Sequence, residues 1–239
     1  MRWYNADAQT WAHRDRALRD RNPAALRWEA MTPEERWVTA TPDEMLAMSL
    51  HVERGPMIVD DLRRLPASPL IVAEGSTVSP AVVSLGLADP SRAVWLIPTP
   101  EFQHRQVEER GLARGPRELY LLLADEIARE AREHRAPILT VDESRCLDEM
   151  LDAFENAFAG ALAEGPCAET LAERRALLRE ANAATAQQVR AYYARPWAAG
   201  DADSAFRSFL CECGDPSCEA SVELAVDASA EPVLAPGHG

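Results

Sequence analysis

The stretch PLIVAEGSTVSP, residues 69–80, has the pattern of a buried β-strand that leads into a helix. Four consecutive apolar residues (70–73) are followed by Glu74 and Gly75, and Ser79-Pro80 then has the form of a helix start. A short continuous apolar run is typical of an inner strand of a parallel sheet. The stretch therefore predicts a strand with the Glu74 carboxylate at its carboxyl end.

Further along the chain, apolar runs alternate with helical patterns. AVWLIPT (93–99) and APILTVD (136–142) predict two more buried strands. Strands separated by helices indicate parallel βαβ units, which bind ligands beyond the carboxyl ends of their strands. Helices are predicted over residues 41–54, 57–66, 80–88, 100–111, 117–134, 148–162 and 169–196.

The order of these elements predicts three regions. Residues 1–165 are expected to form an α/β domain with a parallel sheet flanked by helices. Residues 166–200 are expected to form a long connecting helix, and residues 201–239 a small Cys-rich β module.

Composition and charge exclude some classes of function. The content of 47% apolar and 27% charged residues is that of an ordinary globular protein. A net charge of −14 argues against a nucleic-acid-binding surface, because phosphate backbones repel such a protein. No apolar run approaches the ~20 residues of a membrane span, and the first residues do not open a signal peptide. We therefore expect a cytoplasmic protein without a membrane partner.

The chain contains no lysine, so all 25 of its basic residues are arginine. A Walker A loop, G-x-x-x-x-G-K-[ST], uses lysine to reach the β- and γ-phosphates of a nucleotide. These 239 residues therefore cannot contain a Walker A loop.

Three of the five cysteines are close together near the end of the chain. Cys211, Cys213 and Cys218 form a C-x-C-x4-C pattern, with a bend predicted at Gly214-Asp215-Pro216. Without a secretory signal, such crowding indicates metal binding before disulfides. Cys146 and Cys167 are isolated in the sequence, and each is expected to be a small buried or surface residue rather than a reactive one.

A closed tetrahedral zinc site needs a fourth ligand besides these three thiolates. His238, in the tail sequence PGHG, is the natural candidate. Glu212 is a poorer candidate for a structural site. The alternative interpretation is three free, reduced cysteines in a small β element.

Six phrases follow one another along the chain: MTPEERWV, TPDEM, VDDLRRLPASPLIVAEG, SRAVWLIPTPEFQHR, ILTVDESRCLDEM and FLCECGDPSCEASVEL…VLAPGHG. In this order they resemble actinobacterial P-loop kinase-like proteins, which are similar to nucleoside kinases and other small-molecule kinases. The resemblance covers most of the chain, and it includes a C-terminal segment with the same Cys-rich pattern.

The chain departs from the family pattern at its start. The family begins with a strand, a phosphate loop that carries lysine, and a helix, whereas this sequence opens downstream of that unit at RWYNADAQTWAHRDR. ATP and magnesium are therefore implied only if a phosphate-loop unit is supplied from elsewhere.

The resemblance implies roles for five residues. Glu74 would hold a magnesium-bound water or accept a proton from a substrate hydroxyl, the alternative being a carboxylate that caps a helix N-terminus. Four arginines lie where a kinase lid would contact phosphate, the alternative being surface ion pairs. These lid candidates are Arg105, Arg110, Arg114 and Arg117.

Two functions remain open. The first is an N-terminally truncated kinase-like protein whose full-length form transfers phosphate from ATP to a small hydroxylated molecule. The second is a non-catalytic binding protein on a kinase-like scaffold with a structural zinc module. In the second case a partner, or a further copy in a homo-oligomer, is expected to cover the exposed sheet.

Overall fold

The computed structural model describes residues 1–83, 86, 89 and 92–239. The fold is mixed α/β, and the chain divides into two units. The first unit comprises residues 1–16, 65–75 and 166–239, and the second comprises residues 17–64 and 76–165.

Strands and helices alternate through most of the chain. The strands are β1 (Arg2–Asn5), β2 (Ile71–Glu74), β3 (Trp95–Pro98), β4 (Ile138–Val141), β5 (Phe206–Leu210) and β6 (Ser221–Ala225). The α-helices are α1 (Thr10–Arg19), α2 (Pro23–Ala30), α3 (Pro42–Ser49), α4 (His51–Arg64), α5 (Pro80–Val82), α6 (Pro100–Glu109), α7 (Arg114–Glu133), α8 (Leu147–Glu164) and α9 (Leu171–Tyr193). A π-helical turn spans Glu35–Thr39, and 3-10 turns span Asp7–Gln9 and Asp227–Ala230.

The three strands predicted in the α/β region are confirmed as β2, β3 and β4. We expected them in one parallel sheet, and that single sheet stays a prediction. Among the described residues, β2 pairs in parallel with β1, and β3 pairs in parallel with β4. Sequence analysis missed β1 because it has only four residues, of which Tyr4 alone is buried, too few to show an alternating pattern.

The predicted helices are largely confirmed, with one interruption. Thr41 caps α3 by accepting a hydrogen bond from the Glu44 N–H, and the Glu44 carboxylate accepts one from the Thr41 N–H. The helix predicted over residues 41–54 is broken at Leu50, which has φ +59° and separates α3 from α4. The helix predicted over residues 80–88 begins as α5, but positions 84, 85, 87 and 88 lie outside the described residues.

None of the helices in the described part of the chain combines the length and the apolar character that crossing a membrane requires.

In the first unit, α9 packs against the antiparallel pair β5–β6. Ala186 and Val189 of α9 lie in one core cluster with Phe209 of β5, together with Val226 and Val233 from the segment after β6. Phe209 is only 1% exposed, so this cluster is well sealed from water. The packing holds the loop between β5 and β6, which carries the three clustered cysteines, beside the N-terminal half of α9.

In the second unit, a separate apolar cluster packs three of the helices against one another. It joins Ala17 of α1, Ala25 of α2, and Leu50 and Met57 at α4.

Candidate metal centre

The loop between β5 and β6 carries all three clustered cysteines. Leu210 and Ser221 form the last pair of the antiparallel ladder, and Cys211 follows directly. The Cys211 N–H donates to the Ala220 carbonyl at 2.9 Å, which closes the base of the loop.

The predicted bend at Gly214-Asp215-Pro216 is present. Gly214 has φ +80°, and a Cβ atom there would lie 3.0 Å from the carbonyl oxygen of Leu171, so this position favours glycine. The Asp215 carboxylate accepts hydrogen bonds from the N–H and the hydroxyl of Ser217 at 2.8 and 2.7 Å. The Cys218 N–H donates to the Asp215 carbonyl at 3.1 Å, and the bend thereby returns Cys218 toward the other two cysteines.

The C-terminal tail brings His238 to the same place. Gly237 has φ +83°, and the His238 N–H donates to the Ala235 carbonyl at 3.0 Å, so residues 235–238 form a tight turn. The tail is attached to the loop, because the Glu212 N–H donates to the Val233 carbonyl at 2.7 Å.

The four side chains form one compact cluster. His238 Nδ1 lies 3.5 Å from Cys211 Sγ, 3.4 Å from Cys213 Sγ and 3.4 Å from Cys218 Sγ. All four ligand atoms lie within 4.8 Å of one another. In a tetrahedral site, Zn–S bonds of about 2.3 Å and Zn–N bonds of about 2.0–2.1 Å separate sulfur from nitrogen by about 3.5 Å. The cluster thus has the chemistry and the spacing of a Cys3His metal site.

The surroundings of Cys211 favour its thiolate form, which is the form that binds metal. Burial alone raises the pKa of the Cys211 thiol, but the backbone N–H groups of Ala235 and Cys213 donate to its sulfur, and the combined effect lowers the pKa to about 7. The Ala235 N–H lies 3.3 Å from the sulfur.

The carboxylate between the first two cysteines does not belong to the cluster. Glu212 is 4% exposed, and Arg179 Nε donates to its Oε2 at 2.6 Å. Asn182 Nδ2 donates to its Oε1 at 2.8 Å, and Asn182 also accepts from the Leu210 N–H and donates to the Leu210 carbonyl. Glu212 therefore fixes the loop to α9 and has no role as a metal ligand here.

A second arginine of α9 holds the loop and the tail together. Arg175 Nε donates to the Cys213 carbonyl at 2.9 Å, and its Nη2 donates to the Gly239 carbonyl at 2.8 Å.

Sequence analysis found the four clustered residues but missed the three from α9 that support them. Arg175, Arg179 and Asn182 recur at i, i+4 and i+7, which places them on one helix face in line with the buried Ala186 and Val189. That spacing was a visible signal, although nothing in the sequence shows that the face meets the cysteine loop.

Glu74, the residue expected to act at the carboxyl end of a strand, is the last residue of β2 and pairs with Asn5 of β1. Partial burial, and then the nearby charge of Asp7, raise the pKa of Glu74, while a hydrogen bond from the Trp3 side chain lowers it, with a net increase. A raised pKa makes a carboxylate a better proton acceptor. The catalytic role of Glu74 stays a prediction.

The four arginines expected in a lid belong to the second unit, and three of them have local partners. Arg105 pairs with Glu143 at 2.7 Å, Arg114 pairs with Glu118 at 3.0 Å, and the Arg110 guanidinium lies 5.7 Å from the centre of the Tyr120 ring. Arg117 is exposed in the first turns of α7. Their contact with phosphate stays a prediction.

Comparison of the chain with protein-family models, with curated proteins and with solved structures gave no match.

Proposed function

We propose that residues 201–239 form a structural zinc module, in which Cys211, Cys213, Cys218 and His238 hold one Zn²⁺ ion. The main support for this proposal is that His238 Nδ1 lies 3.4–3.5 Å from all three sulfur atoms. Thiolate and imidazole ligands in a tetrahedral arrangement favour zinc over the hard cations, which prefer oxygen ligands.

The proposed role of the metal is structural. Four protein ligands complete a tetrahedral zinc site and leave no open position for a water or a substrate. Two of the ligands, Cys211 and Cys213, are buried, which suits a closed site.

The metal would add a further link between the loop and the tail, which the Glu212–Val233 hydrogen bond and Arg175 already connect. The loop supplies three ligands and the tail supplies His238, so a bound ion ties the tail to the β5–β6 hairpin. The hairpin is itself held on α9 by Phe209 and by the Glu212–Arg179 pair. In modules of this size the free energy of metal binding contributes directly to folding.

The test is metal analysis of the whole protein purified without chelator. We expect close to one zinc per chain, and a strong chelator should remove the metal and lower the melting temperature. Replacement of zinc by cobalt should give the visible absorption of tetrahedral Co²⁺ together with thiolate-to-metal charge-transfer bands.

Two variants make the test specific to the cluster. Cys213→Ser should lose the stoichiometric zinc and the cobalt bands, whereas Cys146→Ser, at an exposed free cysteine elsewhere, should keep both. A zinc content well below one per chain in the unmodified protein, with no change in melting temperature on adding zinc, would overturn the proposal.

For the α/β portion we propose a kinase-like scaffold, on the strength of the sequence resemblance. The parallel pairing of β3 and β4 across a helical connection agrees with such a scaffold. In a P-loop kinase, transfer of phosphate from ATP to a small hydroxylated acceptor needs a Walker A loop, which these lysine-free residues do not contain. We therefore expect no ATP hydrolysis by the purified chain with magnesium, and turnover that tracks the protein through purification would contradict this.

The alternative for the same portion is a binding role without catalysis. Trp3 and Val72 are cross-strand partners in β1 and β2, and they are 39% and 36% exposed. An exposed apolar pair on a sheet favours a partner, or a second copy, that covers it.

A further inference from the structure

Helix α8 presents a row of apolar side chains to solvent. None of its 18 residues is buried, and Leu147 and Leu151 are 74% and 51% exposed. The spacing of the apolar residues follows the 3.6-residue helical period, which places them on one face. A helix face of this kind is normally covered by another element. The apolar row consists of the exposed residues Leu147, Leu151, Phe154 and Leu162 and the half-buried Phe158.

A row of carboxylates runs beside the apolar row. Asp148, Asp152 and Glu155 recur at i, i+4 and i+7, each one position after a member of the apolar row, and all three are exposed. None of the three takes part in a salt bridge within the part of the chain that the structure describes. α8 contains no arginine, lysine or histidine that could neutralise them.

We propose that α8 is a docking surface for a cationic amphipathic helix of another protein. The apolar side chains of the partner cover the apolar row, and its arginine or lysine side chains pair with Asp148, Asp152 and Glu155. The apolar contacts supply most of the affinity, and the charges select the partner and its register.

A second copy of this chain is a poorer occupant than a cationic helix. Two α8 helices packed antiparallel would place Asp148, Asp152 and Glu155 of one copy beside the same residues of the other, and like charges there oppose association. The chain as a whole carries a net charge of −14, which adds to this repulsion.

The probe is a synthetic amphipathic peptide of about 18 residues, long enough to cover α8, with leucine on one face and arginine beside it. A matched peptide carries glutamate in place of arginine. We expect the whole protein to bind the arginine peptide at least about tenfold more tightly than the glutamate peptide, and the difference to shrink as salt rises from about 50 to about 500 mM. Fluorescence anisotropy of the labelled peptides measures the two affinities and their dependence on salt.

Variants locate the binding to α8. The double variant Leu151→Ser/Phe154→Ser and the triple variant Asp148→Asn/Asp152→Asn/Glu155→Gln should each weaken binding of the arginine peptide at least about tenfold. Val52→Ser, which changes a 72% exposed apolar residue on α4, should leave it unchanged. Circular dichroism and thermal melting check that each variant is folded.

Three results would overturn the proposal. Equal binding of the two peptides would show that charge does not select the partner. Unchanged binding by both α8 variants would place the peptide elsewhere. Dimerisation in sedimentation experiments that the Leu151→Ser/Phe154→Ser variant abolishes would show that a second copy is the occupant.

Discussion

Arg179 Nε lies 2.6 Å from Oε2 of Glu212, a carboxylate that sits between two cysteines of the candidate metal centre and is 4% exposed. Asn182 donates to the other carboxylate oxygen, so both oxygens of this buried group are bonded to α9. The contact fixes the backbone of the C-x-C segment, although neither Arg179 nor Glu212 reaches the site where a metal would bind.

We therefore predict that Arg179→Ala lowers zinc affinity about 10–100-fold without removing a ligand, because the C-x-C backbone loses its support. Competition with a chromophoric chelator measures the affinity. The control is Arg190→Ala on the same helix, which breaks an exposed pair with Asp203 of the following loop and should leave zinc affinity unchanged. Equal affinities for Arg179→Ala and the unmodified protein would show that the pair does not support the site.

We predict that replacing glycine with alanine changes the stability of the fold in opposite directions at two positions. A Cβ atom at Gly115, in the first turn of α7, would lie 2.5 Å from the carbonyl oxygen of Trp37, whereas a Cβ atom at Gly160, inside α8, would meet no atom within 4 Å. Gly115→Ala should destabilise the fold by about 1–3 kcal/mol through overpacking. Gly160→Ala should stabilise it by about 0.5–1 kcal/mol through helix propensity.

Urea denaturation of both glycine variants measures the free energies of unfolding. Unchanged or increased stability of Gly115→Ala would contradict the close approach of α7 to the backbone of Trp37, and decreased stability of Gly160→Ala would contradict the open space at that position.

We predict that the fold loses stability in mild acid because it contains a buried histidine. His51 is 4% exposed, and burial lowers its pKa below 6.5, an effect that the Glu130 carboxylate 3.8 Å away opposes. Because the pKa is higher in the unfolded chain, the unfolded state takes up the proton first as pH falls through 6.5. Stability is therefore greatest above that pH and decreases below it.

Melting temperatures between pH 7.5 and 5.5 test the role of His51. His51→Gln should show a smaller decrease across this range than the unmodified protein. His104→Gln, at an exposed histidine of α6, should behave like the unmodified protein. Identical pH profiles in all three proteins would assign the acid sensitivity to other groups.

We predict that Glu74 changes the pH dependence of stability slightly and in the opposite direction to His51. Its pKa is raised by partial burial and by Asp7, so its charged form costs stability above the unfolded pKa of 4.5, and this cost disappears as the carboxyl group is protonated. Glu74→Gln should raise stability at pH 7 by less than about 1 kcal/mol, because the side chain is partly exposed and solvent screens the charge. At pH 4 the increase in stability should be much smaller. Calorimetry of Glu74→Gln and the unmodified protein at pH 7 and pH 4 measures both increases.

The strand at residues 71–74 could be predicted because four adjacent apolar residues between turn signals leave few other conformations. The caps of α3 and α9 also depend on neighbouring residues alone, because each Thr-x-x-Glu pattern satisfies the first N–H groups of its own helix. The pairing of strands was not local. β1 and β2 are separated by more than sixty residues, and their register depends on which side chains are buried together in the folded unit.

By itself, the sequence determined the types and approximate bounds of the main elements, the absence of lysine and the ligand types of the candidate metal centre. These depend on side-chain chemistry and on spacings within a few residues. The tertiary structure decided that His238 meets the three cysteines, that Glu212 bonds to Arg179 and Asn182, and that four of the five residues in the apolar row of α8 stay exposed. Each of these depends on the packing of segments distant in the chain, because burial and contact are properties of the whole fold.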